Sequence, residues 1–415
     1  MIRILLIAAV ALSGWLMVPD PARNFGFVVA TAWADDDDDD DDDAPVRRRP
    51  APVRAAPLPA FAPNEVLAHG LIESDIARLE SEGFALLQTR VLVDGAMSHR
   101  LRKPARLSML QARAHLRQEL GKPADFNHYY RPNKDAANPP ACKGSACPAR
   151  EMLDWPQATS GCGTPPLIGM VDTGLNPDHA VFADAAIELH RIGPKANASG
   201  LIHGTAVASL LVGDPTSRTP GLVPGARLIA VDAFHKAKSD ERMDAFSLIE
   251  ALDLLAQKGV RIINLSFAGP ENAALAEQLR ALDHQGIVLV AAAGNSGPAA
   301  KPAYPAAYDF VVAVTAVDRR SQIYRRANRG EHIDLAAPGV EVWTATSVSG
   351  ARTQTGTSFA APFVTAAAAL LLQKNPQMTP SEVRRALENG ATDLGRQGPD
   401  AVFGHGLIAP PNPCS

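Results

Sequence analysis

From about residue 150 onward the sequence alternates short, unbroken apolar runs with longer stretches of helical character, and few architectures can bury that pattern. The runs at 167–171, 227–231, 261–265 and 287–292 are continuous rather than alternating, as in strands covered on both faces. Helical stretches lie at 205–212, 242–258 and 272–285. Parallel strands need such crossovers. The pattern therefore predicts an α/β fold, a doubly wound and mostly parallel sheet with helices on both faces, over residues 150–412. A further helix is expected from near Ser358 through Ala366-Ala367-Ala368-Ala369-Leu370-Leu371-Leu372; apolar on nearly every side, it should cross the core.

The preceding residues read as separate segments. Met1-Ile2-Arg3 leads into an apolar stretch from Ile4 to Val18, and Ala32-Trp33-Ala34 stands just before a run of aspartates. A basic start, a short apolar stretch and a small-x-small site are the order of a secretory signal, placed at 1–34. The apolar stretch falls short of the ~20 residues that a spanning helix needs, so export is expected, with membrane attachment only if this segment is retained. Nine acidic residues, Asp35 to Asp43, account for the net charge of -4; without them the balance is -4 + 9 = +5, and neither value suggests a nucleic-acid partner. Residues 35–63, acidic and then rich in Ala and Pro, read as a linker whose carboxylates form a solvated spacer rather than a calcium cage.

Between 64 and 131 the pattern is strand at Glu65-Val66-Leu67, helix at 74–83, strand at 84–87 and a second helix. Ser108 and Gln111 have capping-box spacing, Ala112, Leu116 and Leu120 share a face, and Gly121 is placed to end that helix. This is a small α+β unit, followed by a linker at 132–149. Cys142, Cys147, Cys162 and Cys414 favour disulfides in an exported chain. Three pairings are open; Cys142 with Cys147 and Cys162 with Cys414 is preferred. No metal site is expected, because neither Cys-x-x-Cys nor His-Glu-x-x-His occurs.

Chemistry concentrates in Val171-Asp172-Thr173-Gly174, His203-Gly204-Thr205, Ala291-Ala292-Ala293-Gly294-Asn295-Ser296-Gly297 and Gly356-Thr357-Ser358-Phe359-Ala360-Ala361-Pro362. A serine hydroxyl is a poor nucleophile at neutral pH and needs an adjacent base. Ser358 begins an Ala-rich helix whose first amides lack intrahelical partners and favour developing negative charge; Pro362 is expected to be tolerated as an early helical residue with no amide bond to lose. His203 opens a helix that the apolar Ala206, Val207, Leu210 and Leu211 pin in place, with Gly204 permitting close backbone approach. Asp172 ends an apolar strand, where α/β folds gather their sites; the rival Asp178 follows Pro177 in a loop. Asn295 just past a strand offers a neutral, preorganised donor.

Asp, then His, then Ser is the order in subtilisin, and the chain resembles the subtilisin-like serine proteases over roughly residues 168–407. The resemblance implies a secreted serine endopeptidase with Asp172, His203 and Ser358 as catalytic triad and Asn295 in the oxyanion hole. Ala206 stands where the family often has a second histidine, which is not a triad position. It also implies a channel in which Ser266, Phe267 and Ala268 pair with an extended peptide or protein substrate while Ala291, Ala292, Ala293 and Gly294 line the pocket. Ala303 would be its small floor, and the pocket is expected to be uncharged and to prefer large apolar side chains over basic ones. No cofactor is required. Calcium, bound by many relatives, has no clear ligand pattern in Asp214-Pro215-Thr216-Ser217-Arg218. The α+β unit would be a propeptide, acting as the chain's own chaperone and inhibitor, with a tail such as Phe126-Asn127-His128-Tyr129-Tyr130 in the channel.

Two other functions would leave different marks in the sequence. A catalytically silent fold serving as a binding module predicts loss of a triad residue, and none is lost. An α/β-hydrolase esterase predicts Gly-x-Ser-x-Gly, whereas Ser358 lies in Gly-Thr-Ser-Phe-Ala.

Overall fold

In chain order the strands and helices are β1 (Phe61–His69), α1 (Glu73–Ser81), β2 (Ala85–Val91), β3 (Met97–Arg102), α2 (Met109–Ala114), β4 (Ala124–Pro132), β5 (Ile168–Asp172), β6 (Ile187–Arg191), α3 (Ile202–Val212), β7 (Leu228–Asp232), β8 (His235–Ala237), β9 (Asp240–Asp244), α4 (Ala245–Gln257), β10 (Ile262–Leu265), β11 (Phe267–Ala268), α5 (Ala273–His284), β12 (Val288–Ala292), β13 (Val312–Val317), β14 (Leu335–Pro338), β15 (Val342–Ala345), β16 (Ala351–Gln354), α6 (Thr357–Lys374) and α7 (Pro380–Gly390). They come from a computed structural model described over residues 57–132, 149–156, 162–193 and 197–414. The expected signal at 1–34, most of both linkers, and Cys142 and Cys147 lie outside the described residues. Cys162 and Cys414 form a disulfide.

The four apolar runs become β5, β7, β10 and β12, and they join β6, β13 and β14 in a seven-stranded sheet of order β14-β13-β12-β10-β5-β7-β6. Every pairing in it is parallel. The sequence leaves β5 toward the β6/β7 edge and later returns to β10 on its other side, so the crevice beyond the carboxyl ends of β5 and β10 is a topological switch point. Helix α6 packs on β10, β12, β13 and β14 and is buried along almost its whole length. Removing an apolar stripe on every side from water requires such a position. No helix among the described residues is long and apolar enough to cross a membrane.

Residues 61–132 form βαββαβ with strand order β2-β3-β1-β4, antiparallel throughout. The capping box is present: Ser108 Oγ accepts from Gln111 N at 3.2 Å, and Gln111 Oε1 accepts from Ser108 N at 2.8 Å. This sheet lies against α4 and α5. Asp253, fully buried, accepts from Arg90 Nε at 3.0 Å and Val93 N at 2.7 Å, and Asn272, capping α5, donates Nδ2 to Phe126 O at 2.9 Å.

One helix is shorter than expected. Residues 242–244 are strand, because β8 and β9 close a hairpin around Lys238 and Asp244 caps α4 by accepting from Ser247 N at 3.1 Å. An Asp at that position stops the helix as effectively as it starts it.

Candidate active site

The carboxyl ends of β5, β10 and β12 converge on the switch-point crevice and bring Asp172, His203, Asn295 and Ser358 into one neighbourhood. Asp172 is the last residue of β5, and His203 is the second residue of α3. Both are buried, and His203 Nδ1 lies 2.6 Å from Asp172 Oδ1. That pairing fixes the tautomer: with Nδ1–H directed at the carboxylate, Nε2 is left as the basic nitrogen. It has no hydrogen-bond partner in the structure.

Close contact of two backbones keeps the pair at this distance. A Cβ on Gly204 would lie 2.3 Å from the Thr173 carbonyl oxygen and 2.6 Å from that of Gly174. Only glycine lets α3 approach the end of β5 so nearly. The imidazole also packs on Phe359, with ring centroids 5.4 Å apart, which sets it beside the start of α6.

Ser358 is the second residue of α6 and is fully buried. Its hydroxyl donates to the Ser266 carbonyl oxygen at 2.9 Å, not to His203, while Ser266 Oγ donates to the Ser358 carbonyl oxygen at 2.9 Å. The second bond corrects the expectation for Pro362. As the sixth residue of α6 it lies beyond the unpaired first turn and does remove an i→i−4 bond, and the carbonyl left over is that of Ser358. Ser266 satisfies it. Asn264 Nδ2 donates to Ser266 Oγ at 2.8 Å and Thr365 Oγ1 to Asn264 Oδ1 at 2.9 Å, so a buried polar chain runs from the sheet to the serine.

Asn295 follows β12 and a turn at Gly294 (φ +105), where a Cβ would meet Asn328 Nδ2 at 2.7 Å. Its Oδ1 accepts from Thr357 N and Thr357 Oγ1, both at 3.0 Å. With the oxygen held there, the carboxamide has a fixed orientation. Asn295 lines a cavity of about 750 Å³ together with Ala268, Ala303 and Tyr304.

Other expected pocket residues lie elsewhere. Ala291, Ala292 and Ala293 are buried, the first two in β12 between its two neighbours, and neither they nor Gly294 line that cavity. Ser266 and Phe267, expected to pair with an extended segment rather than to line the pocket, have buried side chains, Ser266 in the polar chain and Phe267 against Phe234 and Tyr130, and the Phe267 backbone pairs with Pro132. The wall is not uncharged: Lys301, Arg326 and Glu271 line it. Lys301 belongs to the segment Lys301-Pro302-Ala303-Tyr304-Pro305 expected at the pocket floor, where its charge was overlooked; Glu271 follows Ala268 by three residues, and Arg326 comes from a separate loop with no sequence signal. Asp178 lies in the exposed loop after Asn176, which caps it by accepting from Asp178 N at 3.1 Å, and makes no contact with His203.

The strand expected to pair with substrate, β11, is paired by the chain itself. In β4, Arg131 and Pro132 pair antiparallel with Ala268 and Phe267 of β11, and Tyr129 and Tyr130 pair on the other side with Asp244 and Met243 of β9. The expected tail is thus shifted by two residues toward the C-terminus at the channel strand. Among the described residues no group of three or more His, Cys, Asp or Glu side chains could hold a metal ion.

A family model for the subtilase family matches residues 163–406. Subtilisin DY from Bacillus licheniformis is 33% identical over 260 residues, which cover 61% of this chain and 93% of the relative. Subtilisin BL from Lederbergia lenta is 33% identical over 245 residues, covering 58% and 87%. Among solved structures, fervidolysin from Fervidobacterium pennivorans, a keratinolytic enzyme related to subtilisin, superposes with a TM-score of 0.69 at 21% identity, over 84% of this chain and 60% of its own. Its likeness is one of fold.

Proposed function

The chain belongs to the subtilase family and is a serine endopeptidase, and from that premise we propose that it forms its acyl-enzyme on Ser358 with His203 as base and Asp172 orienting it. Ser358 Oγ turns from the Ser266 carbonyl to His203 Nε2 and attacks the substrate's carbonyl carbon as its proton passes to Nε2. The tetrahedral oxyanion accepts a hydrogen bond from Asn295 Nδ2. Collapse breaks the C–N bond, and the leaving amine takes the proton from Nε2. Water, deprotonated by the same nitrogen, then hydrolyses the ester and restores the Ser358 hydroxyl. The observation carrying this reading is the 2.6 Å bond between two buried groups, Asp172 and His203, beside the helix that begins at Ser358.

In the same proposal residues 1–34 direct export, 35–63 and 132–149 are linkers, and 64–131 is a propeptide ahead of the catalytic domain at 150–412. Pairing of β4 with β11 supports it, since an extended peptide adds to a sheet edge in the same way. Parallel sheets depend on distant contacts and fold slowly without a template, which gives such a segment its use as chaperone. The test is Ser358→Ala in the full chain. Loss of casein digestion with retention of an uncut precursor is the expected outcome; full activity in that variant, or a fully active wild-type enzyme still joined to residues 64–131, would overturn it. A silent binding module would show no casein digestion in the wild type.

A further inference from the structure

Three strands end in a row at the crevice. Asp172 of β5 is in register with Asp232 of β7, which is in register with Arg191 of β6. Asp232 is buried, and the mechanism proposed above does not use it. Its Oδ2 accepts from an Arg191 guanidinium nitrogen at 2.8 Å and its Oδ1 from Ser199 Oγ at 2.8 Å and Phe234 N at 3.2 Å. Burial pushes the Asp232 carboxyl above its usual range, while Ser199 and Arg191 pull it back.

Ser199 joins two segments. Its hydroxyl donates to Asp232 and accepts from Gly174 N at 2.7 Å, and Gly174 is two residues beyond Asp172 while Ser199 is four residues before His203. A second tie lies on the other side of the pair, where Gly204 N donates to Thr173 Oγ1 at 3.0 Å. The loop before His203 is held from outside as well: Ala198 bridges His235, and Gly200 N donates to Glu241.

We propose that Ser199, held by the Asp232–Arg191 pair, is a positioning residue that keeps the end of β5 and the entry to α3 at the separation the Asp172–His203 bond requires. This rests on the reading of Asp172 and His203 as catalytic. A hydroxyl is suited to the task because it donates to a carboxylate and accepts from an amide at once. Without it the Gly174 amide is left buried and unpaired, and the two segments keep only the Gly204 N–Thr173 Oγ1 bond and the 2.9 Å bond from Asn176 N to Thr205 Oγ1 further along.

The experiment measures kcat per active site, titrated with a fluorophosphonate, and KM on a short peptide amide for the full chain after any self-processing. Ser199→Ala is expected to lower kcat per titrated site about 10- to 100-fold, the scale of a small misplacement of catalytic groups, with KM changed by less than about twofold. Asp232→Asn, which still accepts from Ser199 but leaves Arg191 unpaired, should give a smaller loss of the same kind, and it carries the test if Ser199→Ala does not fold. In an Asp172→Asn background the Ser199 effect should vanish, since nothing is left to position. Unchanged kcat per site in both single variants, or an undiminished Ser199 effect beside Asp172→Asn, overturns the proposal. Full activity in Asp172→Asn alone would instead overturn the catalytic reading beneath it.

Discussion

Tyr130 anchors β4 against β11, and its removal should open that pairing. The side chain is fully buried, edge-on to Phe267 with ring centroids 6.1 Å apart, and its hydroxyl donates to the Pro270 carbonyl oxygen at 3.0 Å. Burial pushes that hydroxyl's pKa well up, so it stays a neutral donor. Gly269 makes the space, because a Cβ there would lie 2.3 Å from the ring. Truncating a buried aromatic to alanine costs about 3–5 kcal/mol. Even about 3–4 kcal/mol felt locally would raise the population of the open strand about 100- to 1000-fold. In a Ser358→Ala full chain, where no cleavage intervenes, hydrogen exchange of the segment containing Phe267 and Ala268 should accelerate by that factor in Tyr130→Ala. Unchanged exchange there, with the variant folded, would refute Tyr130 as the anchor.

Further outcomes are expected elsewhere. Asn295→Ala should lower kcat about 100- to 1000-fold with a smaller change in KM, a range established in subtilisin rather than worked out from this structure. His128, buried beside Asn272, has its pKa lowered by burial; Asp125 raises it and Arg113 and Arg117 lower it further. A histidine kept neutral when folded contributes stability above its unfolded value of about 6.5, and that contribution is lost as pH falls toward the folded value. Exchange protection of β4 in the Ser358→Ala chain should therefore weaken on acidification below about 6.5, and the weakening should be smaller in His128→Gln. On the proposal that this cavity takes the side chain before the cut, Lys301 in its wall should disfavour a basic one, and Lys301→Glu should raise kcat/KM for Lys substrates relative to Phe substrates by about tenfold, read with paired chromogenic peptides.

Much of the parallel sheet was legible because its central strands are covered on both faces and so carry unbroken apolar runs; β5, β7, β10 and β12 each fall within a residue of their expected starts. Strands such as β3, β8, β9 and β16 went unread, since short half-exposed hairpins are fixed by their partners and turns rather than by apolar patterning. Asp172, His203, Asn295 and Ser358 were legible as motifs because glycines and small residues must surround them for the backbones to approach. The ties that hold them were not. Ser199, Asp232, Arg191 and Ser266 are ordinary residues whose roles come from strand register and from a carbonyl that Pro362 leaves unpaired. Lys301 was placed in the pocket floor with its charge overlooked, whereas Arg326 and Glu271 reach the same cavity only once the loops are folded.

The central claim is that Ser358, activated by His203, is the nucleophile. Labelling the active enzyme with a fluorophosphonate and mapping the adduct by mass spectrometry tests it most directly. A single adduct on the peptide carrying Ser358, absent in Ser358→Ala and strongly slowed in His203→Ala, is the predicted result; an adduct on another residue, or undiminished labelling in either variant, would contradict it.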